Sequence, residues 1–171
     1  MTQVLDPAEP LAVMVVGAIQ GGEVEVLRDA LAAHPSLIAA GAEVDATGAV
    51  IAGGTPLDDA VAFGQWRAAR RLVEHGARTA LWHEAALGML PQVEARFAGD
   101  AAAPDAAAIT AAFWSACHGG QRDTAAYLLG RGADRDWIGY DGLTPLDAAV
   151  RAKADAVAAW LTGLGARSAH G

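Results

Sequence analysis

The chain contains the same unit twice, and this repetition restricts the fold more than any other feature of the sequence. In residues 53–77 and again in 142–166, a Gly lies two residues before a Thr-Pro-Leu triplet, and a Gly-Ala pair follows the Thr by 21 residues. Thr caps a helix that begins with Pro, because Pro has no N–H to leave unpaired and its φ is already helical. Gly ends a second helix because it adopts positive φ without strain. Each copy therefore predicts a turn, a short helix, a second turn and a second short helix.

Three weaker copies extend the pattern along the chain. The first has Val13 in the Thr position and keeps the inter-helix Gly22, and the third has Thr79-Ala80-Leu81 in place of Thr-Pro-Leu. The fourth has Ala111 in the Thr position, 33 residues before Thr144. The third copy follows the second by only 24 residues, so we expect the normal hairpin between them to be missing. We therefore expect an arm at residues 1–10, repeats near 11–46, 50–78, 79–100, 109–137 and 139–166, and a frayed tail at 167–171.

These units resemble the ankyrin repeat, whose signature is Thr-Pro-Leu-His-x-Ala at a period near 33 residues. The resemblance covers residues 11–166 and implies an all-α ankyrin repeat solenoid of about five helix-turn-helix repeats, two clear and three degenerate. The chain resembles the small, Ala-rich, cytoplasmic proteins of this family that are found in bacteria. One helix pair cannot bury its own apolar face, so stacked neighbours supply the core. The consensus His is replaced by Asp58, Trp82 and Trp114 in the second, third and fourth repeats.

Charge and cysteine content restrict the class of partner. The net charge of −8 and the pI near 4.9 argue against nucleic acid or an anionic membrane, because both require clustered Lys and Arg. The single cysteine, Cys117, cannot form an internal disulfide, which favours a reducing cytoplasm, and we expect it to be a small buried apolar residue. The apolar run Leu11–Ile19 is too short to span a membrane.

The resemblance to ankyrin repeats implies a non-catalytic protein–protein interaction module. The family usually binds protein partners through a concave face made from hairpin tips and the exposed side of each first helix. Trp137 falls at a predicted hairpin tip and is the strongest aromatic candidate. Carried onto this chain, the contact positions are Ile51, Phe63, Leu87, His118, Trp137, Ile138, Tyr140, Leu143 and Arg151.

An enzyme is the alternative, as a small-molecule or acid–base pocket at the irregular repeats around His83, Glu84 and His118. Asp59, His83 and Ser115 each lie four residues after a Thr position, which places them in a row across neighbouring first helices. Helix axes about 8–10 Å apart separate such residues further than the roughly 3 Å hydrogen bonds of a catalytic relay. No paired His or Cys spacing predicts a metal site, and no motif predicts a cofactor. Self-association through the uncharged first helix is a third option, since an apolar terminal repeat invites stacking.

Overall fold

A computed structural model of the chain describes residues 10–34, 55–98 and 102–170. The chain divides into two compact units, Met1–Thr79 and Ala80–Gly171. Over the described ranges every regular element is a helix and none is a strand. The predicted all-α fold of about five helix pairs is confirmed for these residues.

The first unit contains two helix pairs. They are α1 (Pro10–Gly21) with α2 (Val24–Ala33), and α3 (Pro56–Ala62) with α4 (Trp66–Glu74). The first helices α1 and α3 pack side by side, as do the second helices α2 and α4. Gly22 and Gly64 have φ of 70° and 66° in the turns within the pairs, as their repeat positions predict.

The second unit contains three helix pairs and its own core. Its helices are α5 (Leu81–Ala86), α6 (Leu90–Ala95), α7 (Ala106–His118), α8 (Arg122–Gly130), α9 (Pro145–Arg151) and α10 (Asp155–Gly163). Helix α7 lies between α5 and α9, and α6 packs against α8. Phe113, Leu128 and Leu161 are fully buried in this core together with Cys117. Burial raises the pKa of the Cys117 thiol, which agrees with its predicted role as a small buried apolar residue.

The two Thr-Pro-Leu triplets form the helix starts that the sequence predicts. Thr55 Oγ1 accepts the N–H of Asp58 at 3.2 Å, and the Asp58 carboxylate accepts the N–H of Thr55 in return. Thr144 and Asp147 make the same reciprocal pair, with a Thr144 N to Asp147 Oδ2 distance of 3.1 Å. Each box satisfies two backbone donors that a helix start otherwise leaves unpaired.

The degenerate repeats differ in where their first helices begin. Val13 and Ala111, both placed in the Thr position, lie inside α1 and α7 because neither is followed by a Pro that fixes the start. Asp105 caps α7 instead, through a 2.8 Å hydrogen bond from the N–H of Ala108. In the third repeat the cap is Ala80 and not Thr79. These shifts follow from losing the Thr-Pro pair, which otherwise sets the first residue of the helix.

Residues 167–170 of the C-terminal tail make hydrogen bonds within the second unit, whereas the sequence predicts fraying. The N–H of Arg167 donates to Asp136 Oδ1 and the N–H of Ala169 donates to Asp147 Oδ2, both at 2.8 Å. The carbonyl of Leu164 also accepts a hydrogen bond from Arg135 at 2.6 Å. The repeat pattern carries no signal for these contacts, because they join residues 22 to 31 positions apart in the sequence.

Candidate partner-binding surface

The segment between α8 and α9 forms a short hairpin in the second unit. The N–H of Gly139 donates to the carbonyl of Leu143 at 2.9 Å, and the N–H of Leu143 donates to Tyr140 at 3.1 Å. Between them, Tyr140–Gly142 forms a single 3₁₀ turn in which Asp141 has φ of 55°. Asp is one of the few non-glycine residues that adopt this conformation readily. The turn therefore fixes the backbone on both sides of Tyr140.

Aromatic rings attach this hairpin to helix α7. The Tyr140 ring makes edge-to-face contacts with Trp114, at 5.1 Å between ring centroids, and with Trp137, at 5.9 Å. Each such pair contributes about 0.5–1.5 kcal/mol beyond the area it buries. The buried indole of Trp114 also donates from Nε1 to the carbonyl of Leu143 at 2.9 Å. Ring contacts and a hydrogen bond thus hold both sides of the turn on one helix.

Trp137 is half-buried because its ring folds back over the hairpin. A Cβ placed on Gly139 would come within 2.3 Å of a carbon atom of that ring. Only glycine leaves room for the indole at this position. Part of the Trp137 side chain, which the sequence predicts to contact a partner at the hairpin tip, therefore packs within the hairpin.

The outer side of the hairpin exposes apolar side chains. Ile138 is 61% exposed and Tyr140 is 51% exposed. Arg151 in α9 forms an ion pair with Asp141 at 2.7 Å, which links α9 to the turn, and Val150 beside it is 60% exposed. We call Ile138, Tyr140, Val150 and Arg151 the hairpin surface. Val150 was not among the contact positions carried over from the family, although its place outside the buried Ala148–Ala149 pair predicts exposure.

The other predicted contact residues lie elsewhere or are covered. Leu87 is 3% exposed, so it belongs to the core, and His118 is buried beside the Trp114 ring, 5.4 Å between centroids. Leu143 is half-buried and presents its carbonyl to Trp114. Phe63, at the end of α3, is 40% exposed in the first unit. Ile51 lies outside the described residues.

The residues of the enzyme alternative have contacts that support the fold. His83 Nδ1 accepts the N–H of Ala80 at 2.9 Å, so His83, and not Trp82, closes the start of its helix. Both oxygens of the buried Glu84 accept hydrogen bonds from Arg96, at 2.8 and 3.1 Å. The hydrogen bond to Glu84 raises the pKa of the Arg96 guanidinium. Ser115 donates its hydroxyl to the carbonyl of Ala111 one turn earlier, at 2.9 Å.

The described part of the chain contains neither a cluster of metal ligands nor a membrane-spanning helix. Within residues 10–34, 55–98 and 102–170, no three His, Cys, Asp or Glu side chains come together as a set of metal ligands. None of the helices in these ranges has both the length and the apolar character needed to cross a membrane.

Comparison with known proteins gives a likeness in structure alone. The sequence matches no protein-family model, and it matches no curated protein. Among solved structures, the human ASB11 ankyrin repeat domain is similar to it, with a TM-score of 0.43 and 21% identity over 93% of this chain and 70% of that chain. A likeness at this level carries no partner, site or activity over to this chain.

Proposed function

We propose that this chain is a non-catalytic interaction module that binds a partner protein through the hairpin surface of its second unit. The observation that carries the proposal is the exposure of Ile138 and Tyr140 on a turn whose backbone is fixed by Trp114 and Trp137. Exposed apolar side chains on a fixed backbone favour binding, because less conformational freedom is lost when the partner docks. Tyr is also enriched among residues that dominate binding energy.

The chemistry of the surface indicates what the partner presents. Ile138 and Val150 are matched by an apolar side chain, and Tyr140 also offers a hydroxyl for a polar contact. The net charge of −8 favours a neutral or basic partner, because an acidic one is repelled as it approaches. Asp141 follows Tyr140 and Arg151 follows Val150 in the sequence, so their ion pair supplies one charge of each sign next to these side chains. The partner surface is therefore an apolar anchor with a neutral or basic surrounding.

The test compares two single substitutions of exposed apolar residues. Ile138→Asp places a charge in the hairpin surface, and Val26→Asp makes the same kind of change in α2, where Val26 is 38% exposed. Each purified variant is used to recover partners from lysate of the source cells, and melting temperatures confirm that both are folded. We expect a protein that is recovered with the wild type and with Val26→Asp to be lost with Ile138→Asp. Equal recovery with both variants would contradict the proposal.

A further inference from the structure

Helix α4 carries a row of arginines along its exposed side. Ala68, Ala69 and Leu72 are buried on the other side of the helix, which packs against α3 and α2. The exposed charged residues of the helix are Arg67, Arg70, Arg71 and Glu74. Their spacing of three, four and seven residues places them in one stripe along the helix. We call the three arginines of this stripe the arginine face.

Two of the three arginines have no acidic partner among the described residues. Arg71 forms an ion pair with Glu74 at 2.9 Å. Over residues 10–34, 55–98 and 102–170, no ion pair or hydrogen bond joins the guanidinium of Arg67 or Arg70 to a carboxylate. Arg28 of α2, by contrast, is paired with acids of its own helix. The arginine face therefore presents two guanidinium groups whose charge the described residues do not compensate.

This arrangement is unfavourable to the helix that carries it. Arg67 lies three residues before Arg70 and four before Arg71, and like charges at these spacings repel one another. Arg67 also lies in the first turn of α4, where the helix dipole disfavours a positive charge. Three of the other second helices place an acid in that turn, namely Glu25, Asp123 and Asp155. Helix α4 has none there, so a bound anion would relieve both repulsions.

We infer that the arginine face binds an acidic segment of a partner protein, at a surface separate from the hairpin surface. Guanidinium groups bind carboxylates through two parallel hydrogen bonds. In an extended peptide, side chains two residues apart point the same way at a spacing of about 6.4–6.8 Å. Arg67 and Arg71 are about 6 Å apart along the helix axis, with Arg70 between them. An extended segment in which Asp or Glu alternates with other residues therefore matches the row.

The ion pair of Arg71 leaves that residue available to the segment. Both Arg71 and Glu74 are exposed, and an exposed pair of this kind contributes little to stability. A carboxylate of the partner can therefore take the place of Glu74. The whole arginine face then takes part in binding, and Glu74 returns to solvent.

The charge of the rest of the chain favours a short acidic segment over a larger polyanion. Four arginines and one glutamate fall within residues 66–78, whereas the whole chain has a net charge of −8. Duplex nucleic acid or an anionic bilayer would bring many negative charges against the acidic remainder of the chain. Exposed charges farther away than about 8–10 Å are largely screened at physiological salt, so a segment lying along α4 is affected mainly by the arginines.

The experiment is fluorescence anisotropy of a short labelled peptide of alternating Glu and Ala, titrated with the purified full chain. The wild type should bind this peptide and not its Gln-Ala counterpart. Binding should be weaker at about 150 mM than at about 20 mM salt, because salt screens exposed ion pairs. Arg67→Gln/Arg70→Gln should weaken binding roughly tenfold or more, since two charge-assisted contacts are lost. Its melting temperature should be kept or raised, because glutamine favours helix and the repulsion is removed.

The matched control is Arg122→Gln/Arg167→Gln. It removes the same charge from two exposed positions of the second unit. It should weaken binding of the Glu-Ala peptide by less than about twofold, because distant charges are screened. The difference between the two variants separates the arginine face from an effect of net charge alone.

Three results would overturn the inference. One is no saturable binding of the Glu-Ala peptide by the wild type at low salt, and another is an equal loss of binding in the two double variants. The third is tighter binding of single-stranded oligothymidine or of phosphatidylserine vesicles than of the peptide, which would assign the arginine face to nucleic acid or to a membrane. All three leave the hairpin proposal untouched, because it is read out by Ile138→Asp in the other unit.

Discussion

The cap and first three residues of α3 and α9 have the same sequence, Thr-Pro-Leu-Asp, and make the same capping box, but the two helices differ at the next position. That residue is Asp59 in α3, 2% exposed, and Ala148 in α9, fully buried. Burial, and then the nearby Asp58 carboxylate, raise the pKa of Asp59 to about 6. No hydrogen bond or ion pair within the described residues compensates its charge. The shared motif therefore specifies the cap, while the following residue decides whether the helix buries a charge.

Helix α5 shows a third arrangement at the same position after its cap. Glu84 is buried there like Asp59, but Arg96 binds both of its carboxylate oxygens. The same position in three first helices thus holds an acid without a partner among the described residues, an acid paired with Arg96, and a methyl group. The comparison predicts that exchanging these side chains changes stability in a fixed order.

The largest effect is expected from putting the α3 residue into α9. Ala148→Asp buries a carboxylate with no partner in a fully packed position, which should cost roughly 3 kcal/mol or more in the free energy of unfolding at pH 8. Urea unfolding of the purified variant measures the loss. A loss below about 1 kcal/mol would show that this position tolerates charge, and the contrast between α3 and α9 would then fail.

Removing the partner of Glu84 should have the next largest effect. Arg96→Met leaves Glu84 buried without its guanidinium, and we expect a loss of about 2–3 kcal/mol, since the exposed side of Arg96 moderates the cost of a broken buried pair. The double variant Arg96→Met/Glu84→Ala reproduces the arrangement of α9 and should recover most of that loss. If the double variant is as unstable as the single one, the pair is not what stabilises α5.

Removing the acid from α3 should stabilise the first unit. Asp59→Ala should add about 2 kcal/mol at pH 8, because a carboxyl whose folded pKa lies near 6 disfavours the folded state once it is ionised. The folded state binds the proton more tightly than the unfolded state, whose ordinary value is 3.8. The stability that this group contributes is therefore present below about pH 4 and is lost as the pH rises through 6. Hydrogen exchange of α3 in the wild type and in Asp59→Ala, at pH 4 and at pH 8, measures the difference in stability. An equal gain in stability at both pH values would contradict the prediction.

The smallest effect concerns the tail that covers the α9 cap. Burial acts to raise the pKa of Asp147, but hydrogen bonds from Ser168, Ala169 and Thr144 outweigh it and lower the pKa to about 2. Because the folded pKa is depressed, this contribution is present above about pH 4 and is lost as the pH falls towards 2. Ala169→Pro removes one donor and should cost about 1 kcal/mol at pH 7, with a smaller acid dependence. Ala169→Gly keeps the N–H and is the matched control, so equal losses in both variants would assign the effect to the chain and not to the hydrogen bond.

The sequence predicts the local features of this protein better than it predicts contacts between residues that are distant in the sequence. Thr55 and Thr144 predict their helix caps, and Gly22 and Gly64 predict their turns. These features depend only on a few residues that are neighbours in the sequence. Glu84 and Arg96 are 12 residues apart in the sequence, and their pairing depends on how α5 packs on α6. The third repeat shows the same limit, since Thr79 resembles a cap but the helix starts one residue later without a Pro to fix it.

The residues of the candidate site show the same difference between what the repeat pattern predicts and what packing decides. Arg151 is exposed as its repeat position predicts, whereas Leu87 and His118, which also lie at the ends of first helices, are buried. The difference arises from packing: Gly119 lies so close to α5 that a Cβ there would be 2.0 Å from the carbonyl oxygen of Ala86. A contact position read from a repeat consensus assumes a regular spacing between first helices. The close approach of α5 and α7 covers the residues that a wider spacing would expose.

The most direct test of the central proposal is photo-crosslinking in the source cells. A benzophenone amino acid replaces Ile138 in one variant and Val26 in another, and both positions are exposed. The proposal predicts a covalent adduct with one other protein from position 138 and none from position 26, because only the first lies in the hairpin surface. An adduct from position 26 alone, or no adduct at 138 while the folded protein still recovers its partner from lysate, would place binding elsewhere on the chain.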